Sequence, residues 1–571
     1  MKARVIVIGL DGASFDVIGP FIEKGVMPAL KGLMERGVYA VMNSTVPPLT
    51  CPAWFSFSTG KNPGKFGMYN FFRMEKGSYE IKRFSNADIW THQELWDVLN
   101  QHQLTAGIFN NPVAYPPKRV NGYMVAGFLT PSTRSKFTCP DELKRELDLV
   151  SGGYEIDSDQ GDRIKDELVV ESCFRVLKKR TKCIEHLMST RPMDFMLMVY
   201  TGIDRICHQI LNLIYDGGDD RSRWAGEVLS DFLRQVDLEL SGVLKLTDRN
   251  DIIIVMSDHG FCRRDRGFYI NQWLIDRGYL VLKGKQTFLS RAGITQKGIA
   301  RKVERLGLKN FLRGIAPGFL EQRIPMGVIE GEGNSIIDII RGDMVDWSRT
   351  KAVAIPGGIY LNTVDRPSGI VKFGEDYRKL REDIISGLGE ISNPDTGEKL
   401  KIRAIDREKE YSGPFVSWAP DIQLEIEERT WGLIRNIPEK RKLFDNLKLA
   451  HHNGRAIFIA CGPGIKKGKV IAGGGKEGLT SGKFTAEALS SLTPGVNIVD
   501  LAPTIVFLYG LPVPVDMDGV VLKRIFERGS DFANREIQYI DSRRMEREDF
   551  EYSEEDRKRV EERLRGLGYV D

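Results

Sequence analysis

The 571-residue sequence has only seven cysteines, Cys51, Cys139, Cys173, Cys183, Cys207, Cys262 and Cys461. They are scattered, odd in number and without CxxC spacing, which excludes a disulfide framework or a zinc ribbon and fits a reducing compartment. No run approaches the roughly 18 apolar residues of a membrane-spanning helix. The opening MKARVIVIGLDG reaches Asp11 after only VIVIGL, too short for a signal segment. Neither sign of charge is in excess. The 82 Lys+Arg face 78 Asp+Glu, and the net +4 argues against a polyanionic partner for the chain as a whole. The glycine-rich IAGGGKEGLTSGK (471–483) lacks the order GxxxxGK(S/T) of a phosphate loop and reads as a flexible surface loop or a lid. A soluble, cytoplasmic protein is expected.

What the sequence does have is a series of short apolar runs bounded by turn residues: RVIVIGL (4–10), LTAGIFN (104–110), DFMLMVY (194–200), DIIIVMS (251–257) and RAIFIACG (455–462). Apolar throughout and separated by longer helical patterns, they predict an α/β fold with a mainly parallel central sheet flanked by helices. The catalytic core is expected over 1–282 and 345–528, including an α+β excursion at about 371–430. Residues 283–323 hold ten Lys/Arg against two Asp/Glu with helical apolar spacing, so 283–344 is expected to be an inserted basic helical cap. In the tail, 529–571, Ser553 and Asp556 have capping spacing, and Val560, Leu564 and Leu567 follow at i, i+4, i+7. That pattern predicts a helix docked on the body.

Histidine is scarce as well, seven in all, and its placement is informative. His208 follows Asp204 by four residues in TGIDRICHQ, so the two share one helical face and can hold one cation. Asp258 and His259 stand where the strand DIIIVM ends, the usual place for chemistry in an α/β sheet. Asp11 ends the first strand, and His451 and His452 precede the last. In STVPPLTCPAWFSFSTG (44–60), Pro52 is expected to open a helix, leaving Thr50 and Cys51 at its positive end. Either side chain could be a nucleophile there.

Taken in order, VIGLDG, PLTCPAWFSFSTGKNPGKFG, TGIDRICHQ, VMSDHGF and HHNGRAIFIACGPGIKKG resemble the alkaline phosphatase superfamily. The closest resemblance is to its type I phosphodiesterase/nucleotide pyrophosphatase branch, and it runs to about residue 525. It implies an alkaline phosphatase-like core and two divalent metal ions, zinc in most of the family and manganese in some relatives. Asp11, Thr50, Asp258 and His259 match the ligands of one metal. Asp204, His208 and His452 match those of the other, with His452 preferred to His451 for its spacing to the following strand. Thr50 occupies the slot of the diesterase nucleophile and implies a phospho-threonine intermediate. Cys51 fails two thiol patterns, because Phe57 stands where Cys-x5-Arg needs arginine and Pro52 follows it directly where Cys-x-Pro-x-Arg needs a spacer. It reads as a small buried hydrophobe.

The resemblance thins on the substrate side. Asn70 stands one residue out of register with the asparagine that steadies a phosphate oxygen in the diesterase branch. Phe66 and Gly67 replace the branch's His-Gly, and Lys61, Lys65 and Arg73 are the nearby cations for a phosphate. The expected activity is phosphoric ester hydrolysis, of a diester or pyrophosphate, on a small substrate such as a nucleotide or sugar-nucleotide. Three alternatives stay open: a phosphomonoesterase, a phosphotransferase like cofactor-independent phosphoglycerate mutase, and a non-catalytic metal-binding relative. The basic cap leaves a nucleic-acid or membrane-surface role as a minor expectation.

Overall fold

The five apolar runs become strands of one sheet, and further strands join them that the sequence pattern did not single out, β2 and β4 below among them. The computed structural model describes residues 4–83, 91–159, 164–283, 336–426, 431–472, 477–478, 484–543, 545 and 552–566. In chain order the strands that matter for the site are β1 (Val5–Leu10), β2 (Val38–Asn43), β3 (Ala106–Asn111), β4 (Gly122–Ala126) and β5 (Phe195–Tyr200). They continue with β6 (Ile252–Met256), β7 (Gly260–Tyr269), β8 (Trp431–Ile434), β9 (Phe444–Asn453) and β10 (Arg455–Cys461). Seven of the eleven strands of the central sheet run in the order β2–β10–β6–β1–β5–β3–β4. β1 pairs in parallel with β5 and β6, and β3 with β4 and β5, whereas β10 lies antiparallel between β6 and β2. Every residue of β1, β3, β5 and β6 is buried, which is why these strands read as unbroken apolar runs instead of alternating ones.

Three helices bear on the site: α1 (Thr50–Thr59), α2 (Gly202–Asp216) and α3 (Glu554–Gly566). Helix α1 begins two residues earlier than expected. Leu49 is its N-cap and Pro52 takes the third helical position, where a backbone N–H would have no intrahelical acceptor in any case. Helix α3 docks as its pattern predicts. Ser553 Oγ accepts the Asp556 N–H at 3.1 Å, and Val560 and Leu564 are fully buried in the main core. Leu567 lies outside the described residues.

A second layer covers one edge of this core. Strands β8, β7 and β9 form a three-stranded sheet in that order, with β7 parallel to β8 and antiparallel to β9. The segment 371–430 does not stand alone. Its strands Ile402–Asp406 and Ile422–Ile426 complete an antiparallel sheet with Gly358–Leu361 and Ala352–Ile355. The helix Glu375–Gly389 shares a separate apolar cluster with them, built on Trp273, Ile384, Ile422 and Trp431. Of the expected basic cap, 284–335 lie outside the described residues, as do 473–476 and 479–483 of the glycine-rich loop. Among the described residues no helix is long and apolar enough to cross a membrane.

Candidate active site

Parallel strands end at a common edge, so β1, β5 and β6 deliver the loops after them to one place. The backbone laces those loops together. The Asp11 N–H donates to the Tyr200 carbonyl at 3.0 Å, the Asp204 N–H to the Asp11 carbonyl at 3.1 Å, and the Gly12 N–H to Asp258 Oδ1 at 3.2 Å. Gly12 is the residue this crossing requires. Its φ is +74°, and a Cβ there would lie 2.9 Å from Asp204 Cα.

The side chains converge accordingly. Asp204 Oδ1 lies 3.2 Å from His452 Nε2, 3.5 Å from His208 Nε2 and 3.9 Å from His259 Nε2. His259 Nε2 in turn lies 3.2 Å from Asp258 Oδ2, 3.8 Å from Asp11 Oδ1 and 3.2 Å from Thr50 Oγ1. The His208 and His452 Nε2 atoms are 2.9 Å apart, and the rings of His259 and His452 stack at 3.6 Å. Two overlapping donor groups have the compactness to hold a cation: Asp11, Asp258 and His259, and Asp204, His259 and His452. Asp11 Oδ1 and Asp258 Oδ2 are buried and accept no hydrogen bond among the described residues. Buried carboxylate oxygens turned on imidazole nitrogens, with no hydrogen bond to satisfy them, suit a divalent cation.

The electrostatics agree. Burial, reinforced by the charge of Asp204, raises the Asp258 carboxyl to about 8. Burial together with the charges of Asp258 and Asp204 lifts Asp11 well above the usual carboxylate range. Burial pushes Asp204 the same way, but His208 and Arg205 outweigh it and hold that carboxylate well below the range. His259 is held well below the ordinary imidazole range by burial and by His452, and burial brings His452 down to about 4 against the opposing hydrogen bond to Asp204. The imidazoles are thus in the neutral form that metal ligation needs, whereas Asp11 and Asp258 would release protons on taking up a cation.

Thr50 takes the first position of α1, fully buried, with its hydroxyl on the His259 ring. Cys51 is buried in the main apolar cluster, as expected of a small hydrophobe. His451 and His452 are adjacent on β9, and successive strand residues face opposite sides. His452, opposite Phe261 in register, joins the cluster, whereas His451, opposite Cys262, does not. Both line a cavity of about 160 Å³ next to the cluster, together with Pro48, Asn70, Arg264 and Arg435. Asn70 is thus brought to the site. Lys61, Lys65 and Arg73 are not among the residues lining the cavity. Lys61 pairs with Asp516, Lys65 Nζ lies 2.8 Å from Asp518 Oδ1, and Arg73 bonds Glu75 at 3.2 Å beneath the Trp418 ring.

Sequence reasoning missed Arg205. It is fully buried and donates to Asp204 Oδ2 and, at 3.1 and 2.7 Å, to Asp157 Oδ2. Neighbours on a helix do not face each other, so Asp-Arg in TGIDRICHQ carries no signal of this contact. Arg264 and Arg435 were missed because their place on the cavity wall depends on the β8–β7–β9 sheet.

Among solved structures the chain is similar to phosphonoacetate hydrolase from Sinorhizobium meliloti, at 15% identity and a TM-score of 0.49, over 80% of this chain and 90% of that one. It is also similar to murine ectonucleotide pyrophosphatase/phosphodiesterase 5, at 14% identity and a TM-score of 0.46, over 92% of this chain and 100% of that one. The human form of that protein aligns at 14% identity and 0.44, over 89% and 96%. No curated protein sequence matches the chain. Residues 5–313, more than half of the chain, match the family model of type I phosphodiesterase/nucleotide pyrophosphatase, and the chain belongs to this family of phosphoric ester hydrolases in the alkaline phosphatase superfamily.

Proposed function

We propose that the protein is a two-metal phosphodiesterase or pyrophosphatase in which Thr50 is the nucleophile. One observation supports this above the rest: Thr50 Oγ1 sits at a helix start, 3.2 Å from His259 Nε2 and inside the only cluster of three carboxylates and three imidazoles among the described residues. Asp11, Thr50, Asp258 and His259 would hold one cation, and Asp204, His208 and His452 the other. Zinc or manganese bound there would supply Lewis-acid polarisation of the hydroxyl and neutralise charge on the phosphate.

The residues of the chain do the rest. Thr50 Oγ1 attacks phosphorus in line, the P–O bond to the leaving group breaks, the hydroxyl proton passes to the departing oxygen, and a phospho-threonine remains. Water then attacks the same phosphorus from the opposite side and frees Thr50, so two inversions give net retention. The N-terminus of α1 presents positive potential to the phosphate oxygens. Asn70, on the cavity wall, offers its amide to a non-bridging oxygen. The cavity beside His452 receives the remainder of the substrate, and Arg264 and Arg435 on its wall favour a small anionic one such as a nucleotide or sugar-nucleotide.

Hydrolysis of bis-p-nitrophenyl phosphate and p-nitrophenyl phosphate, with zinc or manganese added, tests the reading. Thr50→Ala is expected to abolish turnover and Cys51→Ala to keep it, with the diester the better substrate. If Cys51→Ala is the inactive variant, or neither change matters, the assignment of Thr50 is wrong.

A further inference from the structure

Arg205 raises a question that the ligand set does not answer. It directly follows a ligand-type aspartate, it has no exposed surface, and it bends back along its own helix to bond that aspartate. The bond takes Asp204 Oδ2, which leaves Oδ1 as the oxygen that faces His208, His259 and His452.

Arg205 is itself fixed on three sides. Its Nε and Nη2 both donate to Asp157 Oδ2, at 3.1 and 2.7 Å, and its guanidinium lies 5.1 Å from the centre of the Phe128 ring. Asp157 Oδ1 accepts the hydroxyl of Thr201, the N-cap of α2, at 2.9 Å. Thr201 Oγ1 in turn accepts Arg180 Nη1 at 2.9 Å, while Arg180 Nη2 reaches the Ile156 carbonyl at 2.9 Å. The Phe128 loop is held from the far end of the chain. Arg563 on α3 donates to the carbonyls of Phe128, of Thr130 at 2.6 Å and of Pro131 at 3.3 Å.

We propose that the buried Asp157–Arg205 pair is a positioning device that presents Asp204 to the second cation through Oδ1 alone, and that Arg563 of the C-terminal helix braces the loop on which the pair rests. The proposal rests on the reading of the cluster as a metal site. A carboxylate free to rotate could offer either oxygen or both, whereas one anchored through Oδ2 is a preset one-oxygen donor. Partners that orient a ligand in this way typically change metal affinity by about 10–100-fold when removed. A plain core ion pair would change thermal stability and leave metal affinity alone.

The test is calorimetric titration of the full-length, chelator-stripped protein with zinc or manganese alone. Wild type is expected to take up two equivalents. Asp157→Asn and Arg205→Lys are expected to bind one of the two roughly 10–100-fold more weakly and the other unchanged, and Arg563→Gln to shift the same equivalent by less. Thr201→Val, which removes the hydroxyl that joins Asp157 Oδ1 to Arg180 Nη1, serves if the first two variants do not fold, and a weakening of that single equivalent is expected of it too. Variants that bind both equivalents like wild type while melting earlier would reduce the pair to a structural one and overturn the proposal. Wild-type protein that binds no metal would overturn the metal reading itself, a distinct failure.

Discussion

Stripping the metal should expose the charge problem in the cluster as a pH-dependent loss of stability. In the fold, Asp258 is raised to about 8, first by burial and then by Asp204, whereas in the unfolded chain it titrates near ~4. Between those values the native state holds a proton that the unfolded state has lost, so stability falls as pH rises. Below about 6.5 the buried histidines oppose the trend. Unfolding lets them take up protons that His259 and His452 refuse in the fold, the latter down to about 4. From pH 6.5 to 8 that opposition fades, from about half a proton for each histidine to almost none, and the carboxyls prevail. One proton over about 1.5 pH units is worth about 2 kcal/mol, and Asp11, raised by the same neighbours, adds in the same direction. The assay is urea unfolding at pH 6.5, 7.2 and 8.0, with chelator or with saturating manganese. The chelated protein should lose about 2 kcal/mol across the series, and the metal-loaded protein, whose carboxylates are already ionised by their ligand role, should not. Equal stability of the chelated protein at both ends, or the same decline with metal present, would refute the account.

Other outcomes follow from single contacts. His452→Ala should weaken metal binding and turnover by about a hundredfold or more, whereas His451→Ala on the other strand face should leave metal binding intact and affect only KM; metal titration and steady-state kinetics separate the two. Gly12→Ala places a Cβ 2.9 Å from the Asp204 backbone at a φ of +74°. It should cost roughly 1–3 kcal/mol of stability and lower metal affinity together with it, read by unfolding and titration on one preparation. Leu564→Ala, at a fully buried contact of α3, should cost about 2–5 kcal/mol; an unchanged melting point would mean that the helix is not docked in solution.

The sequence made the buried strands and the ligand-type residues legible for related physical reasons. A strand buried on both faces must be apolar throughout, so β1, β3, β5, β6 and β10 stood out; the ends of β1 and β6 marked Asp11 and Asp258, while Asp204 stood out by its i, i+4 spacing to His208. β2 did not stand out, because VYAVMN follows almost directly on a helix, and nor did β4. The choice between His451 and His452 rests on strand alternation and becomes geometry only once β9 is paired with β7. The Asp157–Arg205 pair was invisible because it joins a loop to a helix with no periodic pattern, and a buried arginine looks like any surface arginine in a string of letters. Lys61 and Lys65 show the converse. Their proximity to Thr50 in sequence suggested phosphate contacts, but a pair of aspartates, Asp516 and Asp518, distant in the chain, engages both.

The ligand-type residues are drawn from most of the length of the described chain, from Asp11 just after the first strand to His452 on the ninth. No short fragment carries a complete donor set. During synthesis five of the six residues of the cluster emerge long before His452, the last of them, and the donor set stays incomplete until β9 is in place. Under the metal reading, uptake of a cation at full affinity would report that the first strand and β9, far apart in the chain, have met.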